Sequence, residues 1–280
     1  MKVLIDDTSL KMIADEIRTS TERDDTYLPS EMWMGVCQAY GAGRDFGNAE
    51  GIEAGKQAER EEFWGDYFPI ETNEVGLYRC FFAGCGWNAK TFSKVVYPQE
   101  KITPIGSGAE RMFAWFNRNR GVTSNPNAPI DLTEFCKHAD FSKCTSTNST
   151  FNNARVENIT LDLSSCENIN YLFHQDNGGY INKVVLKLTE TTTSATYAFG
   201  YNYDLKELTF TDDSTIATSI NLQWSYSLTK ASFESTINAL SSAVTGKTAT
   251  FSKKAKEAAF TADEWAALIA TKPNWTISLA

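Results

Sequence analysis

The stretches DFSKCTSTNSTF (residues 140–151) and DLSSCENINYLF (162–173) run in one frame. Each has an apolar residue, Ser, a spacer and Cys, with a Phe seven positions beyond the Cys. Self-similarity of this kind is read before local propensity, because it sets the unit that folds. The match continues with drift. Strand-like alternations at ITLDL (159–163), VVLKL (184–188) and ELTF (207–210) place Leu163, Leu188 and Phe210 in equivalent positions, 25 and 22 residues apart. Phe151, Phe173, Phe199 and Leu222 mark a second apolar position in each unit.

A period of roughly 22–25 residues with one short strand per unit predicts a leucine-rich solenoid, in which each coil buries its apolar row only against its neighbours. The stretch YAFGYNYDLKELTF (197–210) resembles the unit of BspA-type leucine-rich repeats. In that unit Ala-Phe is followed by a Cys or Asn, then Leu, then a strand with alternating aliphatics. Ala198, Phe199, Asn202, Leu205, Leu208 and Phe210 fall on this pattern, whereas QDNGGY (175–180) stretches the preceding unit and Ser225 takes the Cys/Asn position in the next. The flanking pieces IADEIRTSTERDDTYLPSEM (13–32), GKQAEREEFWGDY (55–67) and GCGWNAKTFSKVVYP (84–98) resemble the N-terminal part of proteins from phage and prophage tail regions of gut Firmicutes. The end, FTADEWAALIATKPNWTISLA (260–280), resembles their common C-terminus. The resemblance implies a virion-associated or surface-recognition protein.

Working outward, residues 229–280 read as a cap. SFESTINALSS (232–242) gives a helix with Phe233, Ile237 and Leu240 on one face, followed by the strand TATF (248–251). TADEWAALIAT (261–271) gives another, with Thr261 and Glu264 as a capping box, then Pro273 and the strand WTISL (275–279). Toward the N-terminus, Thr8 or Ser9 can cap a helix carrying Leu10, Ile13, Ala14 and Ile17 on one side, and a second helix from Ser30 aligns Met32, Trp33, Val36, Cys37 and Tyr40. GRDFGNAEGIEAGKQ (43–57) then spaces Gly43, Gly47, Gly51 and Gly55 by four. Each helix-interior Gly costs about 1 kcal/mol relative to Ala. The ladder is therefore either a face that lets a second copy of the chain approach closely or a bend between modules. The resulting organisation is α+β: an N-terminal helical attachment or oligomerisation module (1–69), a connecting β unit (70–100), and a degenerate leucine-rich-repeat solenoid (101–280) with a helix-strand C-terminal cap at 229–280.

Bulk composition narrows the function. A formal charge of -9 gives no concentrated basic surface for a phosphate backbone, so nucleic acid is not expected as a partner. The start, MKVLIDDTSLKMIADEI, lacks a signal-peptide core, and no stretch approaches the ~20 apolar residues of a membrane span. Synthesis in the cytoplasm follows, with a final place on a particle or outside the cell still open to a chain released by lysis. The six cysteines (37, 80, 85, 136, 144, 166) are then expected as thiols.

No catalytic motif, metal site or cofactor is expected. Cys136, His138 and Cys144 form C-x-H-x5-C without a fourth ligand at finger or ribbon spacing, and Cys144 and Cys166 read as small buried repeat residues. Cys80 and Cys85 flank FFAG as a weak redox pair, and His174 lies in no recognisable site. The aromatic residues are better candidates. Tyr201 aligns with Trp224 and Tyr203 with Tyr226, each pair one repeat apart, so the four form two adjacent rungs beside Asn202 and Ser225. Exposed rungs would offer flat apolar faces with polar edges, suited to a sugar ring or a protein; packed rungs would belong to the core. The expected role is a non-enzymatic recognition or structural protein that presents its repeats to a cell-surface glycan or protein and self-associates through its N-terminal helices. Two alternatives stand beside it: a carbohydrate-active enzyme whose carboxylates meet across an edge, and an intracellular scaffold.

Overall fold

The computed structural model describes Phe68–Pro69 and residues 76–79, 82–83, 92–93, 95–117, 128–176 and 178–280. The two expected N-terminal helices, Gly43, Gly47, Gly51 and Gly55, and Cys37, Cys80 and Cys85 lie outside these residues. The chain divides into two compact units, Met1–Phe68 and Pro69–Ala280.

The repeated Cys-x6-Phe segments fold as a ladder of tight turns. Asp140 and Asp162 begin two of them by accepting the N–H of Ser142 and Ser164 on Oδ1, both at 3.0 Å, the local turn that an Asp two residues ahead favours. The turns then stack through their backbones. Arg111, Phe113 and Trp115 donate N–H to the carbonyls of Asn148, Thr150 and Asn152. Ser149, Phe151 and Asn153 donate in turn to Asn170, Leu172 and His174, and Tyr171, Phe173 and Gln175 to Thr196, Ala198 and Gly200, with all nine distances between 2.8 and 3.2 Å. The Phe of each turn faces inward. Phe82, Phe113, Phe151, Phe173 and Phe199 are all fully buried, with successive ring centroids 4.7, 4.9, 5.6 and 5.6 Å apart. Each buried ring contributes roughly 1.5–3 kcal/mol by removal of apolar surface from water. The Cys position lies in the same core: Cys144 and Cys166 are fully buried, and Thr192, seven before Phe199, replaces Cys in the third unit and donates its hydroxyl to the Cys166 carbonyl at 2.8 Å.

Among the described residues, two two-residue strands, β1 (Phe68–Pro69) and β2 (Val95–Val96), come first, and a short helix α1 (Thr133–Lys137) follows. Strands β3 (Arg155–Asp162), β4 (Tyr180–Lys187) and β5 (Glu207–Phe210) form a parallel sheet in that order. The register pairs Leu161 with Leu186 and Leu186 with Phe210. Phe210 is thus equivalent to Leu186, two residues before the expected Leu188. Beyond β5 come β6 (Ile220–Leu222), α2 (Lys230–Ala239), β7 (Lys247–Phe251), α3 (Lys253–Ala259), α4 (Ala262–Ile269) and β8 (Trp275–Leu279). Strands β6, β7 and β8 form a second parallel sheet, in which Phe251 pairs with Leu279. The Thr261–Glu264 capping box starts α4, and Phe233, Phe251, Phe260 and Trp265 pack edge to face around its buried side.

This architecture corrects the fold inferred from the repeat. The described residues are mixed α/β, with a few short helices and small parallel sheets, and they hold no closed or solenoid sheet. The reason lies at β5. Its free edge meets α2 instead of a fourth strand, and Ser232 and Ser235 Oγ accept the N–H groups of Leu208 and Phe210 at 2.9 and 2.8 Å. Serine hydroxyls thus satisfy the amides that a further strand would have used. The first sheet stops after three strands, and β6 opens a separate one.

Candidate functional site

The two sheets present different outer faces. Because side chains alternate along a strand, the residues between the buried Val, Leu and Ile positions point away from the core. On the first sheet that face carries ions: Lys183 pairs with Glu207 at 3.0 Å, and Lys187 lies 3.8 Å from Asp162 and 2.6 Å from Asp213. On the second it is uncharged. Asn221, Thr250 and Ser278 stand in register across β6, β7 and β8, with Thr250 and Ser278 hydroxyls 2.9 Å apart, and Thr248 pairs with Thr276 in a parallel row.

Beside this hydroxyl and amide face stands an aromatic surface. Both expected rungs come together: Tyr201 and Trp224 have centroids 4.7 Å apart, and Tyr203 and Tyr226 5.3 Å apart. Tyr203 and Tyr226 are exposed, at 45% and 41%, while Tyr201 and Trp224 are half-buried. Tyr201 also meets Tyr203 edge to face at 6.4 Å, which joins the two rungs. Asn202 and Ser225, between the ring positions, are buried.

Two further residues extend the surface. Tyr171 and Tyr197, 37% and 43% exposed, stack at 5.6 Å, and Tyr197 stacks on Trp224 at 6.0 Å. The result is a continuous run of six rings across neighbouring units. Tyr171 and Tyr197 stand two residues before the buried Phe of their turns, the place held by Arg111 and Ser149 in the earlier ones, and a shared Tyr at Phe−2 was the sequence signal that could have shown them.

The backbone beneath the rings is unusual. Tyr171, Tyr197 and Tyr201 have φ of 55°, 51° and 53°. The ladder imposes the left-handed conformation, since Arg111, Ser149, Trp115 and Asn153 share it in the earlier turns. Asn or Gly meets that demand at least cost, and a bulky residue there stores of order 1–3 kcal/mol. Asn153 is the inexpensive solution, and Tyr201 occupies the equivalent place.

His174 lies below three of the rings, edge to face with Tyr171, Tyr197 and Tyr201 at 5.3, 6.0 and 5.4 Å. Burial lowers its pKa, against a smaller opposing pull from Asp176, whose carboxylate is 3.9 Å from Nδ1. The imidazole is therefore neutral at pH 7 and supports the aromatic surface as a packed ring. Gly200 makes room for it: a Cβ there would lie 2.6 Å from His174 Cδ2.

A groove of about 490 Å³ runs between the aromatic surface and the second sheet. It is lined by Tyr197 and Trp224, here called its wall, by Asn221, Thr248 and Thr250 of the second sheet, its floor, and by Gln223 and the segment 193–196.

Cys136, His138 and Cys144 do not converge. Cys136 Sγ accepts the Thr160 N–H at 3.4 Å, His138 stacks flat on Tyr97 at 4.5 Å, and Cys144 donates to the Pro104 carbonyl at 3.4 Å. Burial pushes the thiols of Cys136 and Cys144 up to about 11 and about 12, so both stay protonated at neutral pH. Among the described residues no three His, Cys, Asp or Glu side chains group as metal ligands, and no helix is long and apolar enough to cross a membrane. No family model matches the chain, and no curated protein or solved structure matches it.

Proposed function

We propose that this chain is a non-enzymatic recognition protein, whose aromatic surface docks on a glycan or protein displayed by a cell. The observation that carries this reading is the run of Tyr171, Tyr197, Tyr201, Trp224, Tyr203 and Tyr226, gathered from successive units onto one exposed surface. Tyr and Trp supply large rigid contact areas with polar edges, and contiguous exposed aromatics of this kind mark binding surfaces. Three of the six hold a backbone conformation that favours Gly or Asn, so their rings are kept at a cost to the fold. The likeness to phage-tail proteins supports a place on a particle or at a cell surface, with residues 1–69 providing attachment and self-association.

The test is binding of labelled, purified protein to intact gut Firmicutes cells, with wild type compared to the double variant Trp224→Ala, Tyr226→Ala. Saturable binding that falls at least about tenfold in a variant with unchanged urea unfolding is the expected result. Wild-type protein that is folded and binds no strain, or a double variant that binds as wild type does, overturns the proposal.

A further inference from the structure

Resting on the recognition role above, we infer that the partner is a neutral glycan, held in the groove between the Tyr197–Trp224 wall and the hydroxyl and amide face of β6 and β7. The lining decides the ligand class. All 13 residues around the groove are uncharged, in a protein of which 22% is Asp, Glu, Lys or Arg. A charged ligand entering it would lose hydration without a counter-ion, a cost that normally selects for a paired side chain. A neutral sugar carries no such cost.

The remaining groups match what a pyranose offers. Its ring has an apolar C–H face, which fits against Trp224, while Tyr197, stacked between Tyr171 and Trp224, offers its ring edge. Its hydroxyls both donate and accept, and so do the side chains opposite. The Thr and Ser hydroxyls each carry one donor and two acceptor lone pairs, and the Asn221 and Gln223 amides carry both functions. Part of this capacity is already directed inward, since Asn221 Oδ1 accepts the Gln223 N–H at 3.0 Å and Ser219 Oγ accepts the Thr248 N–H at 3.1 Å. Those bonds hold the floor in place. The groove, about 490 Å³, is open to solvent and not enclosed, so it suits one face of a sugar and not a fully buried ligand. A protein partner would be expected to bring Lys or Arg to a chain of charge -9, and this groove has no carboxylate to receive them.

The experiment measures cell binding after mild periodate oxidation of the cells, which cleaves vicinal diols, and separately after protease treatment. Retention on immobilised mannan, dextran and galactan is compared with retention on polygalacturonate, which is charged. The variants are Trp224→Ala, and Thr248→Lys, which fills the floor. Thr209→Lys, on the exposed face of β5, is the control. The inference expects binding abolished by periodate, unaffected by protease, and changed less than twofold between about 0.1 M and 1 M salt, over which charge interactions are screened. Trp224→Ala and Thr248→Lys should each weaken it at least about tenfold, and Thr209→Lys less than twofold. Binding that survives periodate and is lost to protease, or retention confined to polygalacturonate, overturns the neutral-glycan inference while leaving the recognition role intact. Folded wild-type protein that binds no cell at all overturns both.

Discussion

Replacing Ser232 by Ala tests why the first sheet ends at β5. Ser232 Oγ accepts the N–H of Leu208 at 2.9 Å, donates to the Lys206 carbonyl at 3.1 Å and lies 2.8 Å from Thr229 Oγ1. Lys206 O keeps a second donor in the variant, the Thr229 N–H at 3.0 Å, so its loss is small. Leu208 N–H has no such reserve, and Leu208 is fully buried. An orphaned buried donor costs about 1–3 kcal/mol, which for a folding unit of this size lowers Tm by roughly 2–12 °C. Ser232→Thr keeps the hydroxyl and should recover most of the loss. Glu234→Ala, on the same helix, should stay within about 0.5 kcal/mol of wild type. Urea unfolding gives the free energies, and amide hydrogen exchange reads Leu208 directly, where protection should fall in Ser232→Ala alone. A Ser232→Ala protein within about 0.5 kcal/mol of wild type, with Leu208 still protected, would refute the hydroxyl as the device that closes the edge.

Three other changes probe the core and the support of the aromatic surface. Phe173→Ala removes a fully buried ring stacked between Phe151 and Phe199, and should cost about 3–5 kcal/mol in urea unfolding, with Phe173→Leu costing clearly less; a loss under about 1 kcal/mol would mean the rings do not form a packed column. Gly200→Ala drives a Cβ into His174, and should destabilise by about 1–3 kcal/mol alone but by much less in a His174→Ala background, a non-additivity read from a double-mutant cycle. Burial lowers the pKa of His174 in the fold, so the unfolded chain binds the proton more readily. The stability that comes from keeping the ring neutral is complete above the unfolded value of about 6.5 and is lost as pH falls below it toward the folded pKa. Unfolding midpoints at pH 7.5 and 5.5 should therefore converge in His174→Gln relative to wild type, and an unchanged pH dependence would contradict a buried neutral imidazole.

What the sequence made legible was local, and what it concealed was long-range. The Cys-x6-Phe frame located buried positions, since Cys144, Phe151, Cys166 and Phe173 are all fully buried. The same frame was read as coils of a leucine-rich solenoid, and this failed for two reasons. Much of each unit is turn backbone with left-handed residues such as Ser149 and Tyr171, which a leucine count does not register. The sheet is also ended by Ser232 and Ser235, two hydroxyls more than twenty residues downstream of the strand they cap. One-repeat spacing was enough to pair Tyr201 with Trp224 and Tyr203 with Tyr226, because stacked turns bring equivalent positions together. The hydroxyl floor had no signature in advance, since Thr248 and Asn221 become neighbours of Trp224 only once β6 and β7 pair away from the first sheet.

The central claim is that the aromatic surface and its groove are what meets the cell, and hydroxyl-radical footprinting of the protein free and bound to intact cells tests it most directly. Tyr197, Trp224, Tyr203 and Tyr226 should be oxidised in the free protein and shielded on binding, while Tyr97, which stacks on His138 away from these rings, should react equally in both states. Binding with the four aromatics still oxidised at the free rate, or with protection elsewhere in the chain, would contradict the account.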